Sequence, residues 1–139
     1  MKILLIDDSK TILKENARVL TEAGYDVVCS DDGESALKMA KEHKPDLILL
    51  DMILPRMSGP EVLMRLKQDP EMKSIPVVVL SGLTEKNREK LMEAGADEYI
   101  EKNTLMPSPG VNVLPEVLKA VLGRIGGTRG IRASASANK

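Results

Sequence analysis

The chain has 139 residues, a length that suits one compact domain. Its 20 basic and 21 acidic side chains leave a net charge of −1, and it has two tyrosines as its only aromatic residues. These values argue against a basic nucleic-acid surface and against aromatic platforms for single strands. No apolar run approaches the roughly 18 residues of a membrane span, and the N-terminus lacks a secretory signal. We therefore expect a cytoplasmic protein that binds neither nucleic acid nor membrane directly.

Five short apolar runs predict five β-strands. Three of them are nearly continuous in Ile, Val and Leu, which is typical of strands covered on both faces in a parallel sheet. The first, second and fifth runs are shorter or more mixed, as expected where one or two of the strands lie at sheet edges. The runs are Lys2–Ile6, Tyr25–Cys29, Asp46–Leu50, Ile75–Leu80 and Asp97–Glu101.

Segments with helical periodicity separate and follow these runs. Ser9 and Thr84 are suitable helix caps, and Gly24 and Gly95 are suitable helix stops. The alternation of strands and helices predicts an α/β fold with a doubly wound, five-stranded parallel sheet of order 2-1-3-4-5 and right-handed crossovers. The predicted helices are Ser9–Ala23, Glu34–His43, Pro60–Gln68, Thr84–Ala94 and Pro115–Leu122.

Two segments lack a regular pattern. Residues 103–114 form a long predicted loop with two prolines and a glycine before the last helix. Residues 126–139 are small and polar, with three basic residues and no acidic one. We expect a domain over residues 1–125, followed by a flexible basic tail or by sequence appended to the domain.

The residues that follow the predicted strands suggest a site. In open α/β sheets, ligands bind beyond the carboxyl ends of the strands, where the strand order reverses. Asp7 and Asp8 follow the first strand, and Asp51 follows the third. Ser81 follows the fourth strand and Lys102 follows the fifth. With the order 2-1-3-4-5, three carboxylates share one crevice, with a hydroxyl and an ammonium group at its rim.

Such a cluster of acids needs compensation. Two like charges about 4 Å apart repel by roughly 4 kcal/mol at an effective dielectric of about 20. Either one carboxyl stays protonated or a cation joins the group. Oxygen ligands without His or Cys select a hard ion, Mg²⁺ or alternatively Mn²⁺. The chemistry indicated is phosphoryl transfer, with one carboxylate as nucleophile, Lys102 and the metal neutralising charge, and Ser81 as hydrogen-bond donor.

Five segments, in matching order, carry a family resemblance. The chain resembles the receiver domain of bacterial two-component response regulators, and in particular the single-domain, chemotaxis-type members, which have the flavodoxin-like fold. The resemblance covers residues 1–102, and the last helix extends it to about residue 124. The segments are ILLIDDS at 3–9, DGESAL at 32–37, PDLILLDMILPRMSG at 45–59, IPVVVLSG at 75–82 and GADEYIEK at 95–102.

The resemblance implies a role for each residue of the site. Asp51 would accept the phosphoryl group and would share a Mg²⁺ ion with Asp7, Asp8 and the backbone carbonyl of Ile53. Ser81 and Lys102 would bind the phosphoryl oxygens. The remaining implied roles are a switch aromatic at Tyr99, room for the phosphate at Gly82 and an apolar rim at Ile53 and Leu83.

The resemblance also implies partners and a signalling function. The phosphoryl donor would be a histidine kinase or a histidine phosphotransfer protein. The phosphorylated chain would change its affinity for a downstream protein, so that it acts as a phosphoacceptor signalling protein and not as an enzyme with a separate substrate. The expected output surface comprises residues 84–95, 97–102 and 115–122.

Three features depart from the family pattern. Asn103 follows Lys102 where a proline is usual, and the loop to the last helix is longer than usual. The family's lysine–proline bond is typically cis, and a cis bond before a non-proline residue costs about 3 kcal/mol, so we expect a trans Lys102–Asn103 bond. Ile53 is apolar where many members carry a polar side chain, which predicts slow hydrolysis of the phosphoryl group.

Other interpretations compete with this one. A haloacid-dehalogenase-type enzyme also uses an aspartyl phosphate, but it needs a second acid at the position of Ile53. A receiver-like module could bind partners without phosphorylation, although the complete set of site residues argues against it. A flavodoxin-like cofactor binder would need a phosphate-cradling loop or stacking aromatics. Taken singly, Asp8 could cap a helix and Ser81 could cap the turn that follows it. Cys29 is expected to be buried and His43 solvated.

Overall fold

A computed structural model describes residues 1–82 and 86–129 of the chain. Within these residues, five strands and five helices alternate, and the strands form a parallel sheet of order β2-β1-β3-β4-β5, as predicted. The strands are β1 (Lys2–Ile6), β2 (Asp26–Ser30), β3 (Leu47–Asp51), β4 (Val77–Ser81) and β5 (Glu98–Glu101). The helices are α1 (Lys10–Glu22), α2 (Gly33–His43), α3 (Gly59–Gln68), α4 (Lys86–Glu93) and α5 (Leu114–Arg129).

Two hydrophobic layers cover the sheet, one on each face. One layer contains residues of α2, α3 and α4, and the other contains residues of α1 and α5. Alternate residues of β1 point to opposite layers: Leu4 and Ile6 belong to the first, whereas Ile3 and Leu5 belong to the second. Strands β3 and β4 are buried along their whole length, which explains their continuous apolar sequences.

Strands β3 and β4 each end one residue later than predicted. Asp51 and Ser81 are the last residues of β3 and β4 and not the first residues after them. The ladder continues to these positions because Asp51 pairs with Leu80, and Ser81 pairs with Glu101. The backbone at both positions is therefore held by sheet hydrogen bonding and not by loop geometry.

Helix α5 is longer than predicted. It extends beyond Leu122 to Arg129, and thus into the segment that was expected to be a flexible tail. The buried stripe of Leu118, Val121 and Ile125 continues at helical spacing past the predicted end, which explains the extension. Residues 130–139, and the predicted cap Thr84 of α4, lie outside the described residues.

Two further expectations concern single side chains and the membrane. Cys29 is exposed and not buried as predicted, because β2 is an edge strand with an uneven burial pattern. His43 is exposed in the last turn of α2, as predicted. Among the described residues, no helix has the length and apolar character needed to cross a bilayer.

Candidate functional site

Asp7 and Asp51 lie side by side at the carboxyl edge of the sheet. Ile6 of β1 pairs with Leu50 of β3, and the two aspartates are the next residues on these neighbouring strands. Each is only 4% exposed. The fold thus brings two carboxylates into a largely desolvated position, as the predicted strand order requires.

Lys102 places its ammonium group between the two acids. Its Nζ lies 3.0 Å from Oδ2 of Asp7 and 3.3 Å from Oδ1 of Asp51. Lys102 follows β5 directly and begins a 3₁₀ turn, Lys102–Thr104, so its side chain crosses the end of β4 to reach both acids. The predicted convergence of Asp7, Asp51 and Lys102 is present in the structure.

The electrostatic environment opposes ionisation of the central acid. Burial raises the pKa of Asp51, and repulsion from Asp7 raises it further. Lys102 and a hydrogen bond from the Ile53 backbone lower this pKa, but they do not cancel the increase. Burial by itself would lower the pKa of Lys102, but its hydrogen bonds and attraction to Asp7 and Asp51 outweigh burial, and the net pKa is raised.

Asp8 completes a set of three carboxylates that fits a divalent cation. One carboxylate oxygen from each of Asp7, Asp8 and Asp51 lies within 4.8 Å of the others, and Asp8 is exposed. Asp7 is oriented by the N–H of Ser9, which donates to its Oδ1 at 3.0 Å, and Ser9 caps α1. A site built only from oxygen atoms, and open on the side of Asp8, suits Mg²⁺ or Mn²⁺.

Two of the remaining predicted site residues, Ser81 and Ile53, lie next to Asp51. Ser81, 1% exposed, ends the strand next to Asp51. A methyl group placed at Gly82 would have no atom of the described residues within 4 Å, apart from those of its chain neighbours. The Ile53 side chain is 62% exposed, whereas Leu83 lies outside the described residues.

Comparison with known proteins assigns the family. A model of the response regulator receiver domain matches residues 3–107. The chain belongs to the response regulator receiver domain family. It is 33% identical over 122 residues to the polar-differentiation response regulator DivK of Brucella anthropi, covering 87% of this chain and 95% of DivK. It is 42% identical over 102 residues to the alkaline phosphatase synthesis transcriptional regulatory protein PhoP of Bacillus subtilis, covering 73% of this chain and 42% of PhoP.

Solved receiver structures share the fold. The receiver domain of the Francisella response regulator 1452 superposes with a TM-score of 0.76 at 26% identity, covering 92% of this chain and 98% of that one. The chemotaxis response regulator CheY4 of Vibrio cholerae gives a TM-score of 0.74 at 29% identity, covering 89% and 97%. The receiver fold predicted from the sequence is therefore confirmed.

The predicted switch aromatic of this receiver is buried. Tyr99, 7% exposed, lies on β5 beside Glu98. The Glu98 carboxylate contacts Arg124 of α5 at 2.9 Å and Arg88 of α4 at 3.7 Å. An ion-pair bridge from α4 to α5 thus crosses β5, a feature that the sequence analysis did not identify.

The connection after Lys102 contains a second feature that the sequence analysis missed. The Lys102–Asn103 bond is trans, as predicted. Farther along, the side chain of Asn112 donates a hydrogen bond to the buried Asn16 of α1 at 2.9 Å. One signal was present in the sequence, because Asn16 interrupts the apolar face of α1 between Leu13 and Leu20.

Proposed function

We propose that this receiver is a phosphoacceptor signalling switch that takes a phosphoryl group from a phosphohistidine onto Asp51. The observation that supports this most directly is the position of the Lys102 ammonium, 3.0 Å from Asp7 and 3.3 Å from Asp51. A lysine so placed compensates the negative charge that a phosphoryl group adds to the site. Family membership supports the same function, since receivers are signalling domains of response regulators.

In the proposed reaction, an Oδ of Asp51 forms a bond to phosphorus while the phosphorus–nitrogen bond of the donor breaks. The electron pair of that bond stays on the imidazole, and Asp51 becomes an acyl phosphate. Lys102 and the hydroxyl of Ser81 bind the phosphoryl oxygens. Asp7, Asp8, Asp51 and the carbonyl of Ile53 would hold Mg²⁺. When bound, Mg²⁺ supplies charge neutralisation for the transferred group.

The proposed partners are a histidine kinase or a histidine phosphotransfer protein and a downstream protein, in the cytoplasm. Resemblance to DivK and PhoP, both named as regulators, supports a signalling role. For the output surface we propose the face formed by α4, β5 and α5. A cavity of about 210 Å³ on this face is bordered by Arg88, Tyr99 and Arg124. Tyr99 belongs to β5, which pairs with β4, the strand that ends at Ser81.

The test is phosphorylation by acetyl phosphate with Mg²⁺, followed by intact-mass analysis. The wild type should gain the mass of one phosphoryl group, and Asp51→Asn should gain none, because the amide is not a nucleophile. Asp31→Asn is the matched control, since Asp31 lies just after β2 and outside the carboxylate cluster. No mass gain in the wild type would contradict the proposal and favour a module that binds partners without phosphorylation.

A further inference from the structure

The connection between β5 and α5 is an ordered loop built on Lys102. The N–H of Leu105 donates to the Lys102 carbonyl at 3.1 Å, and the Leu105 side chain is buried in the layer of α1 and α5. The N–H of Val113 returns to the Leu105 carbonyl at 2.8 Å, which closes the loop at its base. We call residues 102–113 the lysine loop.

A hydrogen bond between the buried Asn16 and the half-buried Asn112 ties the lysine loop to α1. Nδ2 of Asn112 donates to Oδ1 of Asn16 at 2.9 Å, and Asn16 is 6% exposed. The Oδ1 of Asn112 accepts the N–H of Leu114 at 2.9 Å and so caps the start of α5. Capping of α5 accounts for the presence of an asparagine at position 112. It does not account for Asn16, since an apolar residue between Leu13 and Leu20 would fill the same buried face of α1 at a lower desolvation cost.

The segment that leads into α1 and the lysine loop supply the two ends of the ion pair in the site. Asp7 lies three residues before α1 and is held by the N–H of Ser9, the cap of that helix. Lys102 is the first residue of the lysine loop. A bond between Asn16 and Asn112 therefore fixes the loop that carries the ammonium relative to the helix that orients the carboxylate.

We propose that Asn16 and Asn112 are positioning residues that hold Lys102 for phosphoryl transfer. This inference rests on the proposed function, because it concerns the lysine of that site. Strand hydrogen bonding ends at Glu101, one residue before Lys102, so the backbone of Lys102 depends on the loop for its position. Without the amide pair, the loop stays attached through Leu105, but its carboxyl-terminal end is no longer tied to α1.

The experiment compares initial rates of phosphorylation by acetyl phosphate with Mg²⁺ in a double-mutant cycle. Asn16→Ala should slow the reaction about fivefold, the rate equivalent of one ordinary hydrogen bond. Alanine is a good helix former, so α1 should be retained. Combined with Lys102→Ala, Asn16→Ala should change the rate less than about twofold, because its effect acts through the lysine. Asn16→Asp, which keeps an acceptor for Nδ2 of Asn112 but buries a charge, should slow the reaction less than Asn16→Ala does.

A control of similar stability cost separates positioning from general destabilisation. Ile75 precedes β4 and so lies at the amino-terminal ends of the strands, opposite the site, and it is 9% exposed. Ile75→Val should lower stability by an amount similar to Asn16→Ala while leaving the rate unchanged. An equal slowing by Asn16→Ala with and without Lys102 would overturn the positioning role. If Lys102→Ala left the phosphorylation rate unchanged, the proposed role of Lys102 would be wrong, and so would the positioning role of the Asn16–Asn112 hydrogen bond.

Discussion

Gly59, the first residue of α3, lies against the backbone of Asp51, the proposed phosphoacceptor, and of Met52. A Cβ added there would lie 2.6 Å from the carbonyl oxygen of Asp51 and 2.8 Å from the carbonyl carbon of Met52, and closer still to the Met52 Cα. These neighbours are backbone atoms of β3 and its end, so they cannot rotate away. The N–H of Gly59 also donates to the Met52 carbonyl at 3.0 Å and so closes the loop that contains Ile53.

The size of the effect of Gly59→Ala follows from two opposing contributions. Overpacking of this kind costs about 1–3 kcal/mol, and contact with rigid backbone places it near about 3 kcal/mol. Alanine regains at most about 1 kcal/mol through its higher helix propensity, because Gly59 begins α3 and does not lie in the helix interior. We expect a net loss of about 2 kcal/mol, which for a domain of this size lowers Tm by about 6–12 °C. Phosphorylation should slow as well, because the start of α3 must move away from the Asp51 strand.

Thermal unfolding of Gly59→Ala beside Gly123→Ala would test this reasoning. Gly123 lies in α5, and a methyl group there meets no atom within 4 Å. Gly123→Ala should therefore gain about 1 kcal/mol of stability from helix propensity alone. A Tm for Gly59→Ala equal to or above the wild-type value would refute the close approach of α3 to Asp51 and Met52.

Two further predictions concern the acids. Asp7→Ala and Asp8→Ala should each abolish Mg²⁺ binding in a calorimetric titration, whereas Asp31→Ala should bind as the wild type does; unaltered affinity in both variants would contradict the cluster. In metal-free protein, Asp51→Asn should raise the free energy of unfolding at pH 7 by about 1 kcal/mol. The pKa of Asp51 is raised in the folded protein by burial and by Asp7. The stabilisation that protonated Asp51 contributes to the free energy of unfolding is therefore fully present below the pKa of the unfolded chain, and it is lost as pH rises through the pKa of the folded protein. The stability advantage of the Asp51→Asn variant over the wild type in denaturant titrations should vanish at acid pH, and a constant difference would count against the raised pKa.

Local sequence patterns predicted the strands and the site because both depend on short-range rules. Apolar runs defined β1, β3 and β4, and the residues at their carboxyl ends met at one edge once the strand order was known. Asp7, Asp51 and Lys102 therefore converge although they are far apart in the chain. The family resemblance supplied individual roles, such as that of Tyr99, which periodicity alone does not define.

Features that depend on long-range contacts were less predictable. The exposure of Cys29 reflects the edge position of β2 and not the residue type. The extension of α5 depends on burial of Ile125 against the sheet. The partnership of Asn16 with Asn112 joins residues 96 positions apart, and no local pattern identifies such a pair. Polar residues on otherwise apolar faces mark such contacts in the sequence without naming the partner.

The lifetime of the phosphoryl group is the last property that the site predicts. An acyl phosphate is lost when water attacks in line, and polar side chains at the rim can position that water. The side chain of Ile53, two residues after Asp51, is 62% exposed and neither donates nor accepts a hydrogen bond. Leu83, two residues after Ser81, has the same chemical character. Since a positioned base contributes about 10²–10⁴-fold to such reactions, we expect slow hydrolysis, suited to slow signalling or storage in a phosphorelay.

Substitution at Ile53 and Leu83, the two positions that the family resemblance assigns to the rim, tests the expected lifetime. Ile53→Asn and Leu83→Gln, alone and together, should accelerate loss of phosphate after acetyl phosphate is removed, measured by intact mass over time. The double variant should be the fastest, because both polar groups can then orient the attacking water. Mg²⁺ affinity serves as the control, since neither side chain is among the three clustered carboxylates. If the double variant retained the wild-type lifetime with unchanged Mg²⁺ affinity, the apolar rim would not be the cause of slow hydrolysis.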